Sequence, residues 1–135
     1  MDSPRDASLC FVCSQTNPVG LHVTFAVAGG RVTGEFVPSD LHVGFSRVVH
    51  GGILAAVLDD ALAAIGYYQG EPTVTARLAV RYRKSAVPGV PLRVAAEETG
   101  RRGALRHGKA VVTEADGTVI AEAEGTMVVM DGEGA

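Results

Sequence analysis

The longest apolar stretch of the chain lies near its middle and predicts a single helix. From Ile53 to Ile65 every residue is apolar except the adjacent pair Asp59 and Asp60. Glycines open this stretch, and a Gln-Gly pair followed by a proline ends it. A helix without a polar face must be covered by protein or by lipid. Two aspartates, and a length below the roughly 20 residues of a membrane span, favour burial in protein.

Alternating apolar and polar residues predict strands on both sides of this helix. Six segments show the pattern: residues 21–27, 32–36, 73–83, 90–100, 104–114 and 118–130. The last four follow one another through short turns, which predicts an antiparallel meander. In the clearest of them, strict alternation places Thr75 on the face opposite Leu78 and Tyr82.

One helix and one antiparallel sheet predict an α+β domain, in which a sheet of about six strands curves around a long central helix. We expect a single domain over residues 10–130, after a flexible N-terminal segment 1–9 and before a tail 131–135. The edge and outer face of such a sheet need covering. The sequence therefore predicts a homo-oligomer, either a dimer or a dimer of dimers.

The charge pattern limits the classes of partner. The net charge of -3 argues against a nucleic-acid-binding protein. Nine of the twelve basic residues lie between Arg77 and Lys109, either as solvated strand faces or as a local anion site. The N-terminus has no apolar leader segment, so we expect a cytoplasmic protein that does not bind a membrane.

The two cysteines form one C-x-x-C motif, Cys10 and Cys13. A single such motif cannot complete a tetrahedral zinc site within one chain. We therefore expect two reduced thiols, no metal and no cofactor, with a metal shared across a dimer as the alternative.

The start of the helix carries the most specific motif. His50-Gly51-Gly52 is followed by Asp59, nine positions after the histidine, and is preceded by the loop 42–49. This combination resembles the PaaI-type acyl-CoA thioesterases, which have the hotdog fold. The segments 10–21 and 74–84 resemble the same family in the same order, so that the likeness covers about residues 10–130.

The resemblance implies hydrolysis of an acyl-CoA thioester to a free acid and coenzyme A. It also implies hotdog dimers with each active site at the dimer interface. By position, Asp59 matches the catalytic carboxylate, Gly52 or Gly51 the oxyanion-binding amide, and Thr75 a hydroxyl that helps to hold the attacking water. Some members carry an asparagine a few residues before the His-Gly-Gly motif, and residues 44–49 contain none.

Physical chemistry supports the same residues. Amides at a helix N-terminus lack intrahelical partners and lie at the positive end of the macrodipole, where they can stabilise an oxyanion. Gly52 and Asp59 are seven residues apart, about 10.5 Å along a helix, so we expect them to meet only across two chains. Asp60 points about 100° away from Asp59 and is expected to form a salt bridge with a strand arginine.

Other polar residues have supporting roles in this interpretation. We expect His50 to orient or cap the helix, with direct acid–base catalysis as the alternative. We expect His42 to order the preceding loop, with a substrate contact as the alternative. Four basic residues at strand ends and turns are predicted to contact the phosphates of coenzyme A. These are Arg83, Lys84, Arg101 and Arg102.

Two other functions fit the same fold. Asp40 and His42 loosely resemble the acid and histidine of hotdog hydratases or dehydratases that act on acyl thioesters, although the accompanying Asn-Pro is absent. A non-catalytic acyl-CoA sensor is the third possibility. A sensor needs neither Asp59 nor the glycine pair, so the thioesterase is the preferred prediction.

Overall fold

A computed structural model describes residues 7–130 of the chain. Most of the predicted N-terminal segment 1–9 and all of the predicted tail 131–135 lie outside the described residues. Within residues 7–130, no helix combines the length and apolar content that crossing a bilayer requires.

Two helices and six strands make up the described chain. They are β1 (Thr24–Ala28), β2 (Arg31–Phe36), the 3-10 helix η1 (Asp40–His42), α1 (Gly51–Tyr67), β3 (Thr73–Tyr82), β4 (Leu92–Arg102), β5 (Leu105–Glu114) and β6 (Val119–Val129). Apart from η1, which is not among the predicted elements, this order confirms the predicted succession of elements. All six strands contact α1. The curved antiparallel sheet around a central helix is the predicted hotdog arrangement.

The strand order is β1-β2-β4-β5-β6-β3, with every neighbouring pair antiparallel. The predicted four-stranded meander is therefore wrong for β3, which pairs with β6 instead of β4. The segment between β3 and β4 is not a tight turn. Its buried Ala86 accepts a hydrogen bond from the Val49 amide, and its Gly89 amide bonds to Pro38. These bonds hold the connection against the loop before α1 while the chain crosses to the middle of the sheet.

One side of α1 fills the core. Leu54, Val57, Leu58, Leu62 and Ile65 are buried against the sheet. Two glycines, one in β5 and one in β6, leave room in the sheet for Leu62. A Cβ on either glycine would lie 2.8 Å from the Leu62 side chain.

The opposite side of α1 is only half-buried in the single chain. It carries Ala55, Ala56, Asp59 and Ala63. Complete burial of the helix is thus not achieved by one chain, because a single curved sheet covers one side of a helix.

Strand β3 forms one edge of the sheet and contains a bulge. Its register with β6 shifts at Ala76, which has no partner. The extra residue changes the alternation, so that Thr75 and Tyr82 both reach α1 through hydrogen bonds. The predicted placement of Thr75 on the face opposite Tyr82 is therefore wrong. All of β3 is exposed or half-buried, with Val74 and Tyr82 each more than half exposed.

Candidate functional site

The N-terminus of α1 is capped by the residue that precedes it. His50 is the N-cap, and its Nδ1 accepts a hydrogen bond of 2.8 Å from the Gly52 amide. This geometry confirms the predicted capping role of His50. A Cβ at Gly52 would lie 3.0 Å from that nitrogen, so a glycine allows the imidazole to approach.

The cap distinguishes the two candidate oxyanion amides, because it binds only one of them. The Gly52 amide is already bound to His50 in this conformation, whereas the Gly51 amide has no hydrogen-bond partner within the described residues. The Gly51 carbonyl accepts a hydrogen bond of 2.8 Å from the Tyr82 hydroxyl. The first turn is therefore held from two sides, and the free donor belongs to Gly51.

An open cavity of about 640 Å³ lies at this end of the helix. Its wall includes His50 and Gly51 at the start of the helix and Tyr82 at the end of β3. Gly44 and Phe45 of the preceding loop lie on another part of its wall. The loop before the His-Gly-Gly motif thus contributes a glycine and an exposed aromatic ring to the cavity wall. Neither residue has a side-chain amide.

Asp59 lies on the half-buried side of α1. The Thr75 hydroxyl donates a hydrogen bond of 2.6 Å to Asp59 Oδ1. The bulge next to Thr75 makes this contact possible, and β-bulges commonly re-aim side chains beside functional sites. The structure thus brings Asp59 and Thr75 together, while Gly51 lies eight residues, or about 12 Å along the helix axis, from Asp59.

The partners of Asp60 differ from those of Asp59 and from those predicted for Asp60. No basic side chain within residues 7–130 forms a salt bridge with it, so the predicted pairing with a strand arginine is wrong. Asp60 Oδ1 instead accepts a hydrogen bond of 3.5 Å from the Cys10 thiol. Burial raises the pKa of Asp60, while hydrogen bonds from Cys13 and Cys10 act in the opposite direction.

The four predicted phosphate contacts fall into two groups. Arg83 and Lys84 line the cavity with Gly51 and form ion pairs with Glu122 and Glu114 at 2.8 and 3.2 Å.

Arg101 and Arg102 lie instead at the end of β4, and neither lines that cavity. Arg101 contacts Glu98 and also Glu71, which follows the C-terminal end of α1. Within one chain, the four residues are therefore not a single cluster.

His42 orders the loop, as the preferred interpretation predicts. Its Nδ1 accepts a hydrogen bond of 2.9 Å from the Ser39 amide and completes a capping box around η1. Burial, and to a lesser extent the charge of His22, lowers the pKa of His42. His42 does not line the cavity at the start of α1, which leaves the hydratase-like pairing with Asp40 without a site there.

Two features of the site were not predicted from the sequence. Tyr82 appeared only as an apolar strand residue, yet its hydroxyl binds the carbonyl of Gly51. Cys10 and Cys13 lie beside Asp60, although Asp60 comes fifty positions after Cys10 in the sequence. No local pattern signals either contact, because each depends on where distant segments meet in the folded chain.

The arrangement provides the parts that acyl transfer to water requires. An unpaired helix N-terminal amide can stabilise an oxyanion, and a carboxylate oriented by a hydroxyl can accept a proton or attack a carbonyl. Gly51 and Asp59 supply these two groups at different places along one helix.

Solved structures share this fold. A crystal structure of a thioesterase superfamily protein is 26% identical over 87% of this chain and 61% of that chain, with a TM-score of 0.81. This chain thus spans less than two thirds of that protein. The Escherichia coli PaaI protein from the phenylacetic acid degradation operon is 16% identical over 80% of this chain and 83% of that one, with a TM-score of 0.76.

A hypothetical thioesterase from Streptococcus pneumoniae TIGR4, solved with coenzyme A, is 18% identical over 80% of this chain and 88% of that one. Its TM-score is 0.76. Comparison with curated protein sequences gives no match. The family model of the thioesterase superfamily matches residues 47–121, which include the His-Gly-Gly motif, Asp59 and Thr75. The chain therefore belongs to the thioesterase superfamily.

Proposed function

We propose that this chain is an acyl-CoA thioesterase that hydrolyses an acyl-CoA to a free acid and coenzyme A. It acts as a cytoplasmic homo-oligomer without a cofactor. The observation that carries the proposal is the Asp59–Thr75 hydrogen bond on the half-buried side of α1. Such a carboxylate is exposed enough to meet a substrate, and Thr75 fixes its orientation.

The comparisons support the same residues. The Streptococcus pneumoniae protein has been solved with coenzyme A, and also with alanine replacing an aspartate or a threonine. Those two replaced positions are sixteen residues apart, which is the separation of Asp59 and Thr75.

In the proposed reaction, Asp59 acts as a general base. Thr75 holds Oδ1, and Oδ2 takes a proton from a water whose oxygen attacks the thioester carbon. The Gly51 amide stabilises the oxyanion that forms. The C–S bond then breaks, and the proton passes from Asp59 to the departing thiolate of coenzyme A. Direct attack by Asp59 would instead form an acyl-enzyme anhydride that water hydrolyses.

Each active site is proposed to combine two chains. The oxyanion and the attacking atom must both lie about 3 Å from their partners, and one helix separates Gly51 from Asp59 by about 12 Å. The exposed edge of β3 offers a way to close this gap. Antiparallel pairing of two β3 strands about a two-fold axis brings the Thr75 end of one beside the Tyr82 end of the other.

This arrangement predicts an obligate oligomer. Light scattering coupled to size exclusion at micromolar concentration should give at least the mass of a dimer, because a lone chain leaves β3 and half of the site uncovered. A Val74→Lys change on the exposed edge strand should weaken the assembly and the activity together. A monomer with full activity would contradict the shared site.

We also expect Arg83 and Lys84 to bind the phosphates of coenzyme A. Changing both to glutamine should raise KM for an acyl-CoA more than it lowers kcat, because remote phosphate contacts bind substrate and transition state alike. The matched comparison is the double change of Arg101 and Arg102 to glutamine at the end of β4. Because neither residue lines the cavity with Gly51, this change should raise KM less. Steady-state kinetics with unchanged KM for the first variant would remove Arg83 and Lys84 from the site.

A panel of acyl-CoA esters tests the function itself. Free thiol should appear with at least one saturated acyl-CoA, measured with a thiol reagent. Absorbance of enoyl-CoA substrates should not fall without thiol release, since such a loss would indicate hydration. Binding of acyl-CoA without either reaction would favour a sensor.

A further inference from the structure

A second cluster of reactive side chains meets α1 one residue after Asp59. Its members are Cys10, Cys13 and Asp60, and their Sγ and carboxylate oxygen atoms all lie within 4.8 Å of one another. All three side chains are half-buried and line one cavity of about 470 Å³. The proposed hydrolysis uses none of them.

The cluster has the donor set of a transition-metal site. Thiolates select soft or borderline ions such as Zn²⁺, and a carboxylate is an ordinary third zinc ligand. Tetrahedral coordination with Zn–S near 2.3 Å and Zn–O near 2.0 Å separates sulfur from oxygen by about 3.5 Å. The observed distance from Cys10 Sγ to Asp60 Oδ1 is 3.5 Å.

Backbone hydrogen bonds hold the loop that carries the two cysteines. The Cys13 amide donates a hydrogen bond of 3.4 Å to Cys10 Sγ. This hydrogen bond would stabilise negative charge on that sulfur. Phe11 and Val12, between the cysteines, accept backbone hydrogen bonds from Leu21 and Val23. The C-x-x-C loop is therefore fixed to the chain before β1, and needs no large movement to accept an ion.

The surroundings of Asp60 also favour a cation. Within the described residues this carboxylate has no basic partner, and the Cys10 thiol donates a hydrogen bond to its Oδ1. Carboxylates in such positions are usually paired with a cation or bound to a metal. An ion at the centre of the cluster would replace the thiol protons and supply the missing positive charge.

We propose that Cys10, Cys13 and Asp60 bind one Zn²⁺ per chain, with the fourth coordination position open to the cavity. Three protein ligands with an open fourth position are typical of zinc sites that keep a water or a small ligand. The ion ties the N-terminal C-x-x-C loop to the middle of α1, one residue from Asp59. The single C-x-x-C motif thus finds its third ligand within the same chain, which spacing in the sequence did not indicate.

Metal analysis of the purified, reduced protein tests this site. Protein expressed with added zinc and then desalted should carry about one Zn²⁺ per chain by plasma mass spectrometry. Asp60→Asn and Cys13→Ser should weaken binding by more than the roughly 10–100-fold typical of losing an outer-shell partner. The neighbouring change Asp59→Asn, chemically identical to the first, should keep the zinc.

Cobalt provides a readout that does not depend on variants folding. Co²⁺ added to the reduced wild-type protein should give a thiolate-to-metal charge-transfer band and the intense visible bands of tetrahedral cobalt, and Zn²⁺ should displace both. Equal zinc content in wild type and Cys13→Ser would overturn the proposal. So would a cobalt spectrum without thiolate bands, or protein that binds no metal after both cysteines have been shown to be reduced.

Discussion

Replacing Asp59 with asparagine is expected to lower kcat for acyl-CoA hydrolysis by about 10²–10⁴-fold, the usual contribution of a general base. Asparagine has nearly the same shape, and its amide oxygen can still accept the hydrogen bond from the Thr75 hydroxyl. It can neither accept a proton near neutral pH nor attack the thioester. The fold should therefore survive while the reaction fails, and steady-state kinetics beside circular dichroism measures both.

The adjacent aspartate is the matched control. Asp60→Asn changes the same functional group one residue along the helix, where the side chain contacts Cys10 instead of Thr75. We expect it to retain most of the activity. An equal loss in both variants, or a larger loss from Asp60→Asn, would show that the catalytic carboxylate has been assigned to the wrong position.

Replacing Gly51 with proline is expected to lower kcat by about 10²–10³-fold, the cost of removing one oxyanion donor. Gly51 is the first residue of α1, a position that tolerates proline because its amide has no intrahelical partner. His50, with φ -59° and ψ 133°, already has the extended conformation favoured before proline. The change therefore deletes the proposed donor with little disturbance of the helix.

The Gly51→Ala variant distinguishes the effect of losing the amide donor from the effect of adding a side chain. A Cβ at this position would lie 3.4 Å from the Tyr82 ring, which is an ordinary contact, and alanine keeps the amide hydrogen. The alanine variant should be much more active than the proline variant in the same assay. Similar losses in both would mean that space beside Tyr82, and not the amide, limits the reaction.

The parts of the molecule that were predicted correctly depend on local patterns. The apolar run fixed α1, alternation located the six strands, and the His-Gly-Gly motif placed its glycines at the helix start. The motif could not distinguish Gly51 from Gly52. That distinction depends on the rotamer of His50, whose Nδ1 reaches the second amide.

The parts that were missed depend on contacts between distant segments. Pairing of β3 with β6 follows from the path of the chain across the sheet, which short turns do not reveal. The bulge at Ala76 interrupts an otherwise regular alternation, and so Thr75 was placed on the wrong face. The predicted salt bridge of Asp60 fails because five of the nine basic residues between Arg77 and Lys109 pair with strand glutamates instead.

In the proposed reaction, one chain supplies Asp59 and another supplies Gly51 to each active site. Mixing inactive Asp59→Asn with inactive Gly51→Pro tests it directly, once exchange of subunits has been shown by mass. In a mixed dimer, one site would collect both defects and the other would be intact.

We predict that activity rises on mixing to about half of the wild-type rate per mixed dimer. For an equal mixture that exchanges at random, half of the dimers are mixed, and the total should approach about a quarter of wild type. If exchange occurs and the activity stays at the level of the two parent variants, Asp59 and Gly51 act within one chain and the shared site is contradicted.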